Sequence, residues 1–331
     1  NGAEGGVNNV RVRLYASDGT TEIPVGPDGI LNTADDAANG MLTAGGGYYR
    51  FNNLPAGDYI VKVAASNFGV GQPLRSYWSS GTTINGVGVI SETAAALANS
   101  DIDTDDNGTL SAGDVVASIV TLGPTTTSEP LAEAELSGGQ GQPDGQANMT
   151  VDFGFYRVQI GDLVYLDNNA NGTFDAGDTA ITGRAVRLYA ADGITEINVG
   201  PDGILGTADD AAGGMLTNGA GNYLFSGLPQ GQYVVKTASD AVTKSTIDTF
   251  SAADNATPDT NANNNDNGIG IAGGTVSSGV FTMTPGFAGA LNNNTINNGT
   301  GTTNNPTLDF GFVGLVGLGN RVWFDDGAGG G

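Results

Sequence analysis

One stretch of this chain is written twice. Val12–Val63 aligns with Val186–Thr237 without a gap, at an offset of 174, and 37 of the 52 aligned positions are identical. A second signature is also doubled. Asp152-Phe153-Gly154-Phe155 returns as Asp309-Phe310-Gly311-Phe312, at an offset of 157. Copies this close share a fold, so the architecture has to close within about 150 residues, an ordinary domain size. The unequal offsets make the first copy the longer one, with extra sequence at about residues 67–145. The expected units are therefore residues 1–156 and 157–314, with residues 315–331 left over. The link from Arg157 to Gln159 spans at most about 10 Å, so the units should form a semi-rigid rod.

Within each unit the apolar pattern has a period of two. Val10–Ala16 and Val186–Ala190 read as strands rich in β-branched and aromatic residues. Tyr48–Leu54 and Tyr59–Ala64 read as a pair joined by a Pro-Gly turn, repeated as Tyr223–Leu228 and Tyr233–Thr237. Val115–Leu122, Met149–Phe155 and Val276–Met283 add further strands, and Ser91–Ala98 is the one candidate helix. Many short strands with 55 glycines for turns predict an all-β fold: tandem Ig-like, Greek-key β-sandwiches.

The charge balance narrows the function. There are 35 acidic and 11 basic residues, a net charge of -24. Such a surface disfavours nucleic acid and anionic membranes and favours cations. No apolar run is long enough for a membrane helix. The chain has no cysteine and no histidine. That excludes disulfides, thiolate chemistry and a Ser-His-Asp triad. An enzyme is not expected.

Three acidic motifs are candidate calcium sites. In Asp167–Asp178, oxygen side chains fall at positions 1, 3, 5, 9 and 12 of a twelve-residue loop: Asp167, Asn169, Asn171, Asp175 and Asp178. Gly172 takes the sharp turn at position 6 and Thr173 offers its carbonyl at position 7. The flanks read as strands, without the usual helix pair. Asp103, Asp105, Asn107, Thr109, Ser111 and Asp114 repeat that spacing in the first unit. The nearest counterpart in the second unit, Asp259–Gly268, is irregular. Third, Asp28, Asp35 and Asp36 recur as Asp202, Asp209 and Asp210 in a turn with no basic neighbour, and carboxylates so close repel unless a cation sits between them. For each motif the alternative is a solvated polar turn.

The run from Ile160 to Gly183, followed by Val186–Gly193 and the Tyr223–Tyr233 hairpin, resembles the B-type repeat of serine-aspartate-repeat surface proteins, which is related to the collagen-adhesin B-type domain. The resemblance implies a calcium-dependent β-sandwich on a bacterial surface, with Asp167, Asn169, Asn171, Asp175 and Asp178 as the calcium loop. It also implies that some relatives carry a Lys–Asn crosslink from the first strand. Gly161–Leu166 contains no lysine, so no crosslink is expected.

The expected function is a structural extracellular stalk or filament, secreted or at the cell surface, with calcium as its cofactor. The alternative is an adhesin module whose first-unit loops bind a protein or carbohydrate. The partners expected are copies of the same chain or further tandem repeats. Asn1–Val7 aligns with Asp175–Ile181, so the first unit lacks a first strand, while Leu318–Asp325 aligns with Ile160–Asp167 and has no unit after it. Head-to-tail strand addition, with 318–325 completing the first unit of the next copy, is the assembly this predicts.

Overall fold

The computed structural model describes residues 5–103, 105–131, 133, 142–246, 266–270, 274–285, 304–305 and 307–320. The two copies are built on the same strand pair. Arg11–Ala16 runs antiparallel to Gly57–Val63 with Val12 opposite Val63, and Ala185–Ala190 runs antiparallel to Gln230–Ala238 with Val186 opposite Thr237. The alternation read in the sequence is the alternation of burial: Val12 and Leu14 are buried while Arg11 and Arg13 stand half out. On the far side, Gly57–Val63 pairs with Asp114–Ala117 and Val120–Leu122, and Gln230–Ala238 pairs with Thr275–Ser277 and Phe281–Met283.

The second unit closes with another sheet. Its middle strand is Val158–Leu166, buried along all but its last residue. Asn222–Leu228 lies antiparallel on one edge and Phe310–Gly314 parallel on the other. Ile160, Val164, Leu188, Phe225, Tyr233 and Phe310 meet between the two sheets in one apolar core. This is a β-sandwich, with each sheet turning its apolar face inward.

The first unit departs from the expected pattern at two strands. Tyr48–Leu54 is not a strand; only the isolated bridges Ala44–Tyr48 and Ile30–Asn52 touch that region. Met149–Phe155 is likewise irregular, and pairing begins only at Phe155–Tyr156, against Trp78–Ser79. Their counterparts in the second unit are strands because Val158–Leu166 runs between them. Among the described residues no such strand lies beside the two segments of the first unit. Of the expected strand Leu318–Asp325, residues 321–325 lie outside the described residues.

Ser91–Ala98 is not a helix either. Ile90–Glu92 is a strand, and the next amides are taken by distant acceptors. Ala95 N–H donates to Thr109 Oγ1 at 2.9 Å, Ala96 N–H to the Asp106 carbonyl at 3.1 Å and Ala98 N–H to Ser118 Oγ at 2.7 Å. A helix would need those donors for itself.

The joint between the units is made of sheet. Thr82–Ile84 and Ile90–Glu92 form a hairpin of the first unit. Its first strand lies parallel to Gln230–Gly231 of the second, with Thr83 opposite Gln230 and Ile84 opposite Gly231. Trp78 Nε1 donates to the Gly227 carbonyl at 2.8 Å, and the Tyr156 hydroxyl donates to the Thr82 carbonyl while accepting the Gln230 N–H at 2.9 Å. Ile84 and Tyr156 are buried in the core of the second unit, although by repeat they belong to the first. Glu92 holds the hairpin to its own unit, accepting from Ser79 Oγ at 2.8 Å and Leu110 N–H at 2.9 Å.

Candidate functional site

The twelve-residue loop leaves the end of Val158–Leu166 and folds back on itself. Gly172 sits at φ +81°, the left-handed turn that position 6 requires. Asn169 and Asn171 both turn their carboxamides onto Asp175, with nitrogen to oxygen distances of 3.1 and 2.7 Å. Asp178 ties the ends together, accepting from the Asn168 and Asp175 amides at 2.8 and 2.9 Å. Asp167 is almost fully buried and accepts from the Gly172 amide at 2.8 Å and from the Thr246 hydroxyl. The structure therefore gathers Asn169, Asn171 and Asp175 at one point and sets Asp167 and Asp178 at the neck. Asn169 Oδ1 accepts the Asn171 amide at 3.0 Å, and with Asn171 Oδ1 and the Asp175 carboxylate it makes a set of hard oxygens of the kind calcium takes. Thr173 donates its amide to Asn171 Oδ1 at 2.8 Å.

The paired acidic turns have a hydroxyl at their centre. Thr33 Oγ1 lies 2.6 Å from Asp35 Oδ1, 3.2 Å from Asp36 Oδ1 and 3.1 Å from the Ile30 carbonyl. Thr207 Oγ1 is placed the same way, 2.7 Å from Asp209, 3.1 Å from Asp210 and 3.4 Å from Asp202. A hydroxyl has one proton to give, so several oxygens share it. The Thr33 hydroxyl holds Asp35 below the usual carboxylate range, and Thr207 does the same for Asp209. Asp28 and Asp202 also accept the amides of Ile30 and Ile204, each at 2.8 Å.

The six residues from Asp103 to Asp114 are not brought together. Gly108–Ser111 and Asp114–Ala117 form a β-hairpin, with Ser111 opposite Asp114 at its tip. An extended run of four residues carries that tip roughly 10 Å from the Asp105 end. Asp114 accepts the Ala65 amide at 2.8 Å, Thr109 accepts the Ala95 amide, and Ser111 is exposed. Asp105 accepts from the Asn107 carboxamide at 3.1 Å, and Asp103 is half-buried. The spacing of a metal loop is here the spacing of a latch followed by a hairpin.

That latch is the feature the sequence reading missed. Asn107 is buried and pairs with the backbone of Asp152 in both directions, its amide to the carbonyl at 2.9 Å and its Oδ1 from the Asp152 amide at 2.8 Å. Asp106 Oδ1 accepts the amides of Gly108 and Gly154 at 3.0 and 2.9 Å, and burial raises its carboxyl above the usual range. The second unit repeats every contact. Asn267 pairs with Asp309, and Asp266 Oδ1 accepts from Gly268 and Gly311 at 2.9 and 3.0 Å. The signal was present: Asp106-Asn107-Gly108 recurs as Asp266-Asn267-Gly268. Of the Asp259–Gly268 counterpart, residues 259–265 lie outside the described residues.

Among the described residues, no three acidic side chains converge closely enough by themselves to hold a metal ion. No described helix is long and apolar enough to cross a membrane.

Residues 158–284 match the SdrD B-like domain family. Serine-aspartate repeat-containing protein F of Staphylococcus epidermidis is 33% identical over 92 residues, which are 27% of this chain and 4% of that protein. The chain thus spans a small fraction of the curated relative it matches. Among solved structures, GBS52, the minor pilin of Streptococcus agalactiae, aligns over 96% of this chain and 88% of its own at 12% identity and a TM-score of 0.29. BcpA, the major pilin subunit of Bacillus cereus, aligns over 94% and 96% at 12% identity and a TM-score of 0.21. Likenesses that loose carry no argument.

Proposed function

From the match of residues 158–284 to the SdrD B-like domain, we propose that this chain is a structural repeat of a bacterial surface protein, stiffened by calcium and extended head to tail, and not an enzyme. The observation that carries the calcium reading is the folded Asp167–Asp178 loop, where two carboxamides converge on Asp175 and Asp178 closes the neck. A cation there would pin the end of the Val158–Leu166 strand to the strand that follows. The carboxylate pairs around Thr33 and Thr207 are its secondary sites, one per unit. The net charge of -24 supports the reading, because self-repulsion of that size favours bound cations. The same composition removes histidine and cysteine from any reaction.

Calcium titration by calorimetry, followed by thermal melting with and without chelator, tests this. Binding only to the folded state adds about 2.7 kcal/mol at a hundredfold excess over Kd. Asp175→Ala should abolish the tightest binding event. A chain that takes up no calcium, and melts at the same temperature in chelator, sinks the calcium reading.

A further inference from the structure

Six asparagines among the described residues are followed directly by glycine: Asn39, Asn85, Asn107, Asn171, Asn218 and Asn267. Each pair sets a side-chain carboxamide beside a main-chain nitrogen that no Cβ shields. Attack of that nitrogen on the carboxamide carbon closes a cyclic imide, and the fold decides which pair can make it. In three pairs the glycine amide is already engaged: Gly108 donates to Asp106 at 3.0 Å, Gly172 to Asp167 at 2.8 Å and Gly268 to Asp266 at 2.9 Å. In two more the carboxamide is tied down. Asn85 Oδ1 accepts the amides of Val87 and Val89, each at 3.0 Å, and Asn218 Oδ1 those of Ala220 and Asn222 at 2.9 and 3.0 Å. Swinging either carboxamide carbon onto its glycine would break two bonds to the main chain.

Asn39-Gly40 escapes both restraints. Among the described residues the Gly40 amide donates to no acceptor. Asn39 is exposed, and its Oδ1 is held by one long side chain, Arg13 Nη2 at 2.6 Å, while Arg11 Nη1 donates to its main-chain carbonyl at 2.7 Å. The Arg13 guanidinium draws electron density from the carboxamide carbon and stabilises the oxyanion that attack creates there. The backbone of Asn39 is strained as well, at φ +96°, where the second unit has Gly213 at +116°. We propose that Asn39-Gly40 is a self-modifying site. Gly40 N bonds to Asn39 Cγ, its proton passes through solvent to Nδ2, the Cγ–Nδ2 bond breaks and ammonia leaves. Water then opens the imide at either carbonyl, to aspartate or to isoaspartate. The aspartate product places a carboxylate beside Arg11 and Arg13, whose guanidinium groups favour the charge. Arg13 keeps Glu22 as its other carboxylate, at 3.3 Å. The first unit thus gains a negative charge with age. The second unit, with Gly213 at the same position, has no such step.

The test incubates the folded full chain in mildly alkaline buffer and follows all six asparagines by peptide mapping with mass spectrometry. Asn39 should convert first, to a pair of aspartate and isoaspartate products, with ammonia released in step. Arg13→Gln should slow that conversion about tenfold, the worth of one hydrogen bond from a charged donor. The same variant should leave Asn85 and Asn218 at their own rates. Asn39→Gly installs the residue of the second copy and should abolish the early acidic shift in isoelectric focusing. Thermal melts report whether both variants keep the fold, and the wild-type ranking of the six stands without them. In denaturant every restraint is gone and the six should convert at similar rates, which separates the fold's contribution from that of the dipeptide. An Asn39 that stays intact, or that converts behind another of the six, overturns the proposal. So does a folded Arg13→Gln chain that converts Asn39 as fast as wild type, or a ranking that is the same folded and unfolded.

Discussion

Tyr223-Leu224-Phe225 and Tyr49-Arg50-Phe51 are nearly the same sequence in nearly the same surroundings, yet one is a strand with its rings fully buried and the other a partly buried loop. The difference is the Val158–Leu166 strand, which pairs with Asn222–Leu228 in the second unit, while among the described residues no strand lies beside Tyr48–Leu54. Strand propensity is thus a property of the pair of segments rather than of either one. The packing on the opposite sheet is indifferent to this loss. Val12, Leu14, Val61 and Val63 are as buried as their copies Val186, Leu188 and Val235, with Thr237 in the place of Val63.

The comparison can be broken at its centre. Phe225→Ala should cost about 3–5 kcal/mol, read by denaturant unfolding, because it opens a filled core. Phe51→Ala should cost less, since its ring is only partly buried. Equal costs would mean that the two rings are packed alike. Calcium sharpens the contrast next. Removing it should lower stability by about 2.7 kcal/mol per site occupied at a hundredfold excess. The loss should fall more on the second unit, whose loop hangs from the inserted strand, and protease cleavage should concentrate at Asn168–Gly177. Tyr156→Phe is a smaller change. It strips the hydroxyl that joins the Thr82 carbonyl to the Gln230 amide across the joint, at about 1–3 kcal/mol for two buried groups left without it. Its signature is that the units should melt in two transitions rather than one. Acid should act least. The Thr21 hydroxyl lowers the Asp18 carboxyl from 3.8 to about 2, so the tie stabilises above pH 4 and is lost as the pH falls toward 2. Because the group lies at the surface, the change should register as faster amide exchange at Thr20 and Thr21 with no global unfolding.

Much of this was legible in the residues. The duplicated window gave the shared strand pair, and its offset of 174 is also the offset of the two registers. The loop at Asp167 was readable because glycine at position 6 and alternating oxygens fix a backbone path locally. Asp103–Asp114 carries the same letters but sits ahead of a β-branched run, Val115 to Val120, that draws its second half into a hairpin. Spacing alone does not separate those outcomes; the pairing partner does. Tyr48–Leu54 failed as a strand for the same reason, and Ser91–Ala98 failed as a helix because distant acceptors claimed its amides. The hairpin at the joint had no signal at all, since its partner lies more than 140 residues away.

That hairpin puts the folded boundary out of step with the written one. From Val63 to Asp106 the offset between the copies falls from 174 to 160, so the stretch that includes Thr82–Glu92 is fourteen residues shorter in the second copy. The longer copy reaches forward and lends a piece of sheet to the unit that follows it. In a string of modules, a joint built this way resists bending, because turning it would part hydrogen-bonded sheet.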